Sequence, residues 1–409
     1  MNSVAKFIEE NFAKTIRLNK EDDDTLIGLP CPYTVPCIDD MFQEMYYWDT
    51  YFTNVGLLVA GNVAQAKNNA DNMFYLIEKY GFMPNGNRTY YLKQSQPPFL
   101  FLMVRDIFRY EKDIQWLKKA YDILEKEYEF WQTKRIAPNG LNYYGNQQNV
   151  DEQEIFWLCE DFTKRSGGCI AESDAEQEMI ARTVRTFCES GWDCTSRFEK
   201  VGHHYNPVDL NSLLYGFECC MEEFSDILSN GMSLQWKERA EGRKLRMRQF
   251  LWNEQKQIYM DWNFEEKYFS PVCSAASLYP LCFEMCESIK GEKELLHKLL
   301  LKYGISATEP DNYIWKLQWD YPNVWAPLQY MAFWACQNYG YEEMAREIAT
   351  RYTRLIEQGY EETGNLWEKY DGNTGVVANQ DYQAPAMMGW TAGIYIYFKN
   401  YLDGQTFKL

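Results

Sequence analysis

Apolar residues recur at i, i+3, i+4 and i+7 through most of the chain, the spacing that lays one apolar stripe along a helix. This periodicity predicts helices over 64–81, 97–113, 113–133, 207–228, 233–252, 293–304, 325–340 and 341–360. Strand-like alternation is scarce. Between the helical windows lie segments rich in Gly, Asn, Trp and Tyr, at 83–91, 137–147, 190–197, 318–327 and 365–375. Such segments read as loops because Gly and Asn tolerate turn geometry. About a dozen helices alternating with polar-aromatic loops predict an all-α protein, its helical hairpins set in a ring with the loops gathered at one end. No low-complexity linker interrupts the pattern. The expected organisation is an N-terminal helical extension over 1–30, amphipathic and running into an acidic turn, followed by a single domain over 31–409.

Composition narrows the function classes. Of the 409 residues 17% are aromatic, including 14 Trp and 31 Tyr. These side chains pair an apolar body with a polar tip and suit a wet pocket that holds carbohydrate. The net charge of −18 argues against nucleic acid as a partner, because phosphate binding draws on clustered Lys and Arg. Basic residues do group in KERAEGRKLRMR (237–248), but the interspersed acids make that a solvated helix face. No apolar run approaches the ~20 residues of a membrane span, so no membrane partner is expected. The first residues lack the long apolar core of a leader. The 12 cysteines are scattered, some within apolar stretches, as reduced thiols would be. Both features predict a cytoplasmic protein. With three histidines and no Cys–His spacing around His203–His204, neither a metal nor another cofactor is expected.

GWDCTSRF (191–198) puts an acid directly after a tryptophan, the pairing a sugar ring calls for with its apolar C–H faces and its hydroxyls. By itself this proves little: Asp193 is equally suited to cap a helix or to pair with Arg197 one turn on. Companions accumulate along the chain. MFQEMYYWDTYF (41–52), MPNGNRTYYLKQSQPPF (83–99), ESGWDCTSRF (189–198), NPVDLNSLLY (206–215), SAASLYPL (274–281), QWDYPNVWAPLQ (318–329) and LWEKYDG (366–372) each resemble a trehalase block, in that family's order, from about Pro32 to Gly393.

The resemblance implies an (α/α)6 toroid and an inverting glycoside hydrolase that cleaves a small α-linked glucoside or related disaccharide without metal or organic cofactor. It makes Asp193 the general acid and Glu368 the general base. An inverting enzyme needs one protonated carboxyl for the leaving oxygen and one ionised carboxyl for water on the opposite face, roughly 6.5–9.5 Å apart. Trp192 is expected to help keep Asp193 protonated by limiting its hydration. By the same resemblance Trp48, Asp49, Asn85, Ser95, Gln96 and Gly191 bind sugar, and Trp319, Asp320, Asn323 and Trp325 of the signature loop line the wall. Read without it, Trp48, Trp319 and Trp325 are equally suited to the core, and Asp49 and Asp320 to helix caps.

Departures from the family pattern bear on the substrate. Met41 stands where the family's PGGRFRE block has an arginine. Gln94 stands at the arginine of SRSQ, beside Lys93, and NYYGNQQNVDEQE (142–154) has no counterpart of the RPES arginine. The glutamate of the family's GGEY lid is missing from GVVANQDYQAPAMMGW (375–390), where Gln380 and Gln383 are partial substitutes. Each lost cation removes charge-assisted hydrogen bonds of about 1.5–3 kcal/mol. Catalysis is therefore expected to persist with an altered partner for the reactive sugar. Strict α,α-trehalase activity and an inactive sugar-binding or sensory protein are the alternatives.

Overall fold

The computed structural model describes residues 3–38, 41–146, 150–166, 171, 173–287, 289–310, 317–379, 382–405 and 407. Six helices touch one another in a closed cycle: Tyr47–Val59, Leu100–Glu111, Val208–Leu228, the short Tyr279–Cys282, Ala326–Asn338 and Trp390–Leu402, which returns to the first. Val63–Tyr80, Ile114–Lys134, Ser233–Phe250 and Glu342–Thr363 pack outside this inner ring. The result is the (α/α)6 toroid expected from the sequence.

Burial separates the two layers. Tyr47–Val59 buries 11 of its 13 residues, whereas Ser233–Phe250 buries four of 18. An inner helix such as Tyr47–Val59 meets neighbours on nearly all sides and can be apolar all round. An outer helix keeps charged residues toward water. The ring closes where Tyr47–Val59 meets Trp390–Leu402, and closure depends on two glycines: a Cβ on Gly56 would lie 2.4 Å from Gly393 Cα. Any side chain there would push the first and last inner helices apart.

Strands are short and serve the loops. Asn323–Trp325 pairs antiparallel with Lys369–Asp371, with Trp325 opposite Lys369. At the N-terminus, Ser3–Asn11 lies against Glu342–Thr363, and Ile16–Arg17 pairs with Tyr33–Thr34. Among the described residues no helix is long and apolar enough to cross a membrane.

Candidate active site

Helix Asp174–Ser190 ends at Gly191, whose φ of +72° is left-handed, a geometry that favours glycine at a helix C-terminus. Space demands glycine as well, because a Cβ there would meet the Trp48 ring at 2.6 Å. The chain then runs through Trp192 and Asp193 to Cys194, also left-handed at φ +60°. This loop is anchored from below. Arg197, fully buried, makes two bidentate ion pairs, with Asp209 at 2.9 and 3.0 Å and with Asp261 at 3.0 Å, and its guanidinium lies 4.3 Å from the Trp192 ring centre. Arg197 therefore does not pair with Asp193. Asp320 accepts from Ser196 N at 2.9 Å and Ser196 Oγ at 2.6 Å, tying the signature loop to the acid's loop. Just upstream, buried Glu189 accepts from Arg135 at 2.7 and 2.9 Å and from Ser95 N at 2.7 Å.

Glu368 precedes strand Lys369–Asp371, and its backbone is fixed by the segment that follows. Its N–H donates to Pro385 O at 3.2 Å, its carbonyl accepts from Trp390 Nε1 at 3.3 Å, and Trp367 bridges Ala386. The carboxylate accepts from the Tyr382 hydroxyl at 2.7 Å on each oxygen, and Oε2 lies 3.5 Å from Lys369 Nζ.

Asp193 and Glu368 open into one pocket. Its described lining is Phe42, Tyr46, Trp48, Asp49, Gln96, Gly191, Asp193, Gln318, Trp319, Trp325, Glu368, Tyr382, Met387 and Trp390. Burial raises the Asp193 carboxyl above its ordinary range, opposed by the cationic Arg165 and Lys369. Burial also raises Glu368, opposed by Lys369 and the Tyr382 hydrogen bond and reinforced by the negative charge of Asp193. Asp49 faces both acids, and burial pushes it up to about 8, so at neutral pH this third carboxyl is mainly protonated and able to donate a hydrogen bond. Among the described residues no group of three or more His, Cys, Asp or Glu side chains is arranged to hold a metal ion.

Of the positions singled out from the sequence, Trp48, Asp49, Gln96, Gly191, Asp193, Trp319, Trp325 and Glu368 reach this pocket. The other five stand behind its wall. Asn85 Nδ2 donates to Cys188 O at 3.0 Å, Ser95 Oγ to Met83 O at 2.6 Å, and Asn323 Nδ2 to Gln318 O at 2.9 Å. Asp320 is consumed by the acid's loop, and Trp192 is fully buried, stacked on Trp319 at 5.3 Å. The lining residues not singled out are Phe42, Tyr46, Gln318, Tyr382, Met387 and Trp390; the first three lie in blocks that matched the family and the last three in the departing segment 375–390. Lys93 pairs with Glu154 at 2.9 Å and is absent from the lining. Gln380 lies outside the described residues.

The sequence matches the trehalase family model over residues 2–403. A periplasmic trehalase of Escherichia coli O8 (strain IAI1) is 32% identical over 405 residues, covering 92% of this chain and 70% of the relative. The chain belongs to the trehalase family. Among solved structures, the neutral trehalase of Saccharomyces cerevisiae superposes with a TM-score of 0.77 at 24% identity, covering 97% of this chain and 80% of the other. A mannosylglycerate hydrolase of Thermus thermophilus superposes at 0.65 and 14% identity, covering 90% and 96%, which extends the shared fold beyond trehalases. The protein is an inverting, trehalase-like glycoside hydrolase acting on a small carbohydrate.

Membership corrects one expectation. The cytoplasmic location read from the N-terminus and the scattered thiols is overturned by relatives that are periplasmic trehalases. The thiol argument fails on physical grounds, since none of the 11 described cysteines forms a disulfide and seven of them are buried core residues. Buried thiols report packing rather than the redox state of a compartment.

Proposed function

We propose that Asp193 is the general acid and Glu368 the general base in the hydrolysis of a small α-linked glucoside or related disaccharide. Asp193 gives its proton to the glycosidic oxygen as the bond from that oxygen to the anomeric carbon breaks. Glu368 takes a proton from the water that forms the new bond on the opposite face, and the configuration inverts. Asp193 is left ionised and Glu368 protonated, and exchange with solvent restores both. The observation that carries this reading is the convergence of the two acids, 175 residues apart in sequence, on one tryptophan-walled pocket where burial raises both carboxyls. A raised carboxyl stays protonated long enough to act as an acid. Asp193 fits that role because no described side chain hydrogen-bonds its carboxyl. Glu368 fits the base because Tyr382 and Lys369 favour its ionised form.

Trp48, Trp319 and Trp325 form an apolar wall for the C–H surface of the sugar ring, while Asp49 and Gln96 supply hydrogen bonds to its hydroxyls. Met41 and Gln94 stand where the family has arginines, and Lys93, turned to Glu154, supplies no replacement. This supports a leaving group other than the second glucose of trehalose. Strict α,α-trehalase activity is the second reading, favoured by the relatives. The test is sugar release from trehalose beside a panel of α-glucosides and α-mannosides, with the first product anomer read by proton NMR. From an α-linked substrate the attacked sugar is expected first as the β-anomer, joined by α-glucose from the leaving half when trehalose is cleaved. Appearance of the attacked sugar as the α-anomer would overturn the inverting pair, and trehalose as the sole substrate would establish the second reading.

A further inference from the structure

The Tyr382 hydroxyl is the only described side-chain hydrogen-bond donor that meets Glu368 on both oxygens, at 2.7 Å each. The two oxygens nevertheless differ. Oε2 also faces Lys369 Nζ at 3.5 Å, whereas Oε1 has no described hydrogen-bond or ion-pair partner besides Tyr382. Lys369 is itself fixed: it is fully buried, donates to Gln318 Oε1 at 2.6 Å, and sits 3.6 Å from the centre of the Tyr382 ring. Tyr382 thus bonds the base with its hydroxyl and covers the lysine with its ring. Neighbouring backbone holds the same register, since Ala384 N donates to Asn379 Oδ1 at 2.8 Å, Met387 N to Leu366 O at 2.8 Å, and Glu368 N to Pro385 O.

We infer that Tyr382 is a positioning residue for the hydrolytic step, locking the Glu368 carboxylate between itself and Lys369 so that Oε1 is the oxygen presented to the attacking water. This rests on Glu368 being the base. A carboxylate free to rotate would offer either oxygen in many orientations, and a single orientation removes that entropy from the barrier. The lock has an electrostatic side as well. A hydroxyl and an ammonium directed at the ionised carboxylate favour that form. The groups facing Glu368 are Lys369 on its own segment, Tyr382, Asp193 from the acid's loop and Asp49 from helix Tyr47–Val59; the last two act in the opposite sense.

The experiment is Tyr382→Phe, which keeps the ring over Lys369 and removes only the hydroxyl, measured beside Glu368→Gln. With Tyr382→Phe, kcat should fall roughly ten-fold or more with little change in KM. Loss of a donor to the ionised base raises its pKa, so the acid limb of the kcat profile should move up by roughly one pH unit. A matching melting temperature and far-UV circular dichroism spectrum would exclude a folding defect. If Glu368→Gln is inactive and the Tyr382→Phe profile is unmoved, the base assignment stands and the inference falls. Should Glu368→Gln remain active, both fall together. A loss in Tyr382→Phe that appears only in KM would also overturn the inference, marking the hydroxyl as a sugar contact.

Discussion

The two acids of the pocket are held in opposite ways. Asp193 has no hydrogen bond to its carboxyl among the described residues, while the loop it rides on is bonded beneath it: Arg197 to Asp209 and Asp261, Asp320 to Ser196, Glu189 to Arg135. Glu368 sits in a backbone fixed by ordinary pairing, and it is the carboxylate itself that is engaged, by Tyr382 and Lys369. The difference follows from chemistry. A general acid must keep its proton until the leaving oxygen arrives, so ion-pair donors on the carboxyl would defeat it, and rigidity has to come from the loop. A general base works as an anion, so donors on the carboxylate both orient it and keep it charged.

Substrates with different leaving groups break this comparison most sharply. Asp193→Asn and Glu368→Gln should each lower turnover of a disaccharide by roughly 100- to 10,000-fold, the usual range for a positioned acid or base. An α-glucosyl fluoride needs no proton on its leaving group. On that substrate Asp193→Asn should recover much of its activity, while Glu368→Gln should stay slow because water still requires a base. Recovery by Glu368→Gln instead would exchange the two roles.

The anchoring beneath each acid predicts unequal stability effects. Arg197→Met would leave two carboxylates buried without their cation, a loss of about 3–5 kcal/mol for breaking a buried pair. Equilibrium denaturation should show this, together with lost activity, because the ring of Trp192 rests on the same guanidinium. On the base side, Trp390→Phe deletes a hydrogen bond to Glu368 O, worth about 1 kcal/mol, and trims a ring packed edge-on against Trp48, Trp319 and Trp325, for a smaller total cost. Equal costs for the two variants would mean that the acid's loop does not depend on its ion pairs.

Much of this architecture is written in the sequence, and the gaps have physical causes. The eight helical windows all fall on helices. Tyr47–Val59 escapes the same reading, since with 11 of its 13 residues buried it has little polar face to set against an apolar one, while Glu152–Arg165, Asp174–Ser190 and Trp390–Leu402 also lie outside those windows. The window 293–304 overruns its helix, which ends at Leu299 because Leu300–Leu301 turns back to pair with Gly304–Ile305. In the site, tryptophan and acid positions are legible from their blocks, but front and back of the wall are not. Asp320 and Trp319 are adjacent in one signature, yet one braces a loop and the other faces the pocket. Tyr382 is not legible in the same way, because it lies in the one segment that departs from the family's lid pattern and only folding brings its hydroxyl to Glu368.

The last effect concerns the third carboxyl. Asp49 belongs to neither holding scheme: it faces both acids, and its folded-state pKa of about 8 lies far above the ordinary aspartate value. Folded protein therefore binds a proton here that unfolded chain has released, across the window from roughly pH 4 to pH 8. With more protons on the folded state, stability contributed by this group falls as pH rises through that window. Asp49→Asn keeps the shape and removes the titration, so its melting temperature should match that of the native protein near pH 4 and exceed it by a few degrees near pH 8. A constant difference across that range would place the titration of Asp49 elsewhere, and its role in the pocket would then be that of an ordinary ionised acceptor.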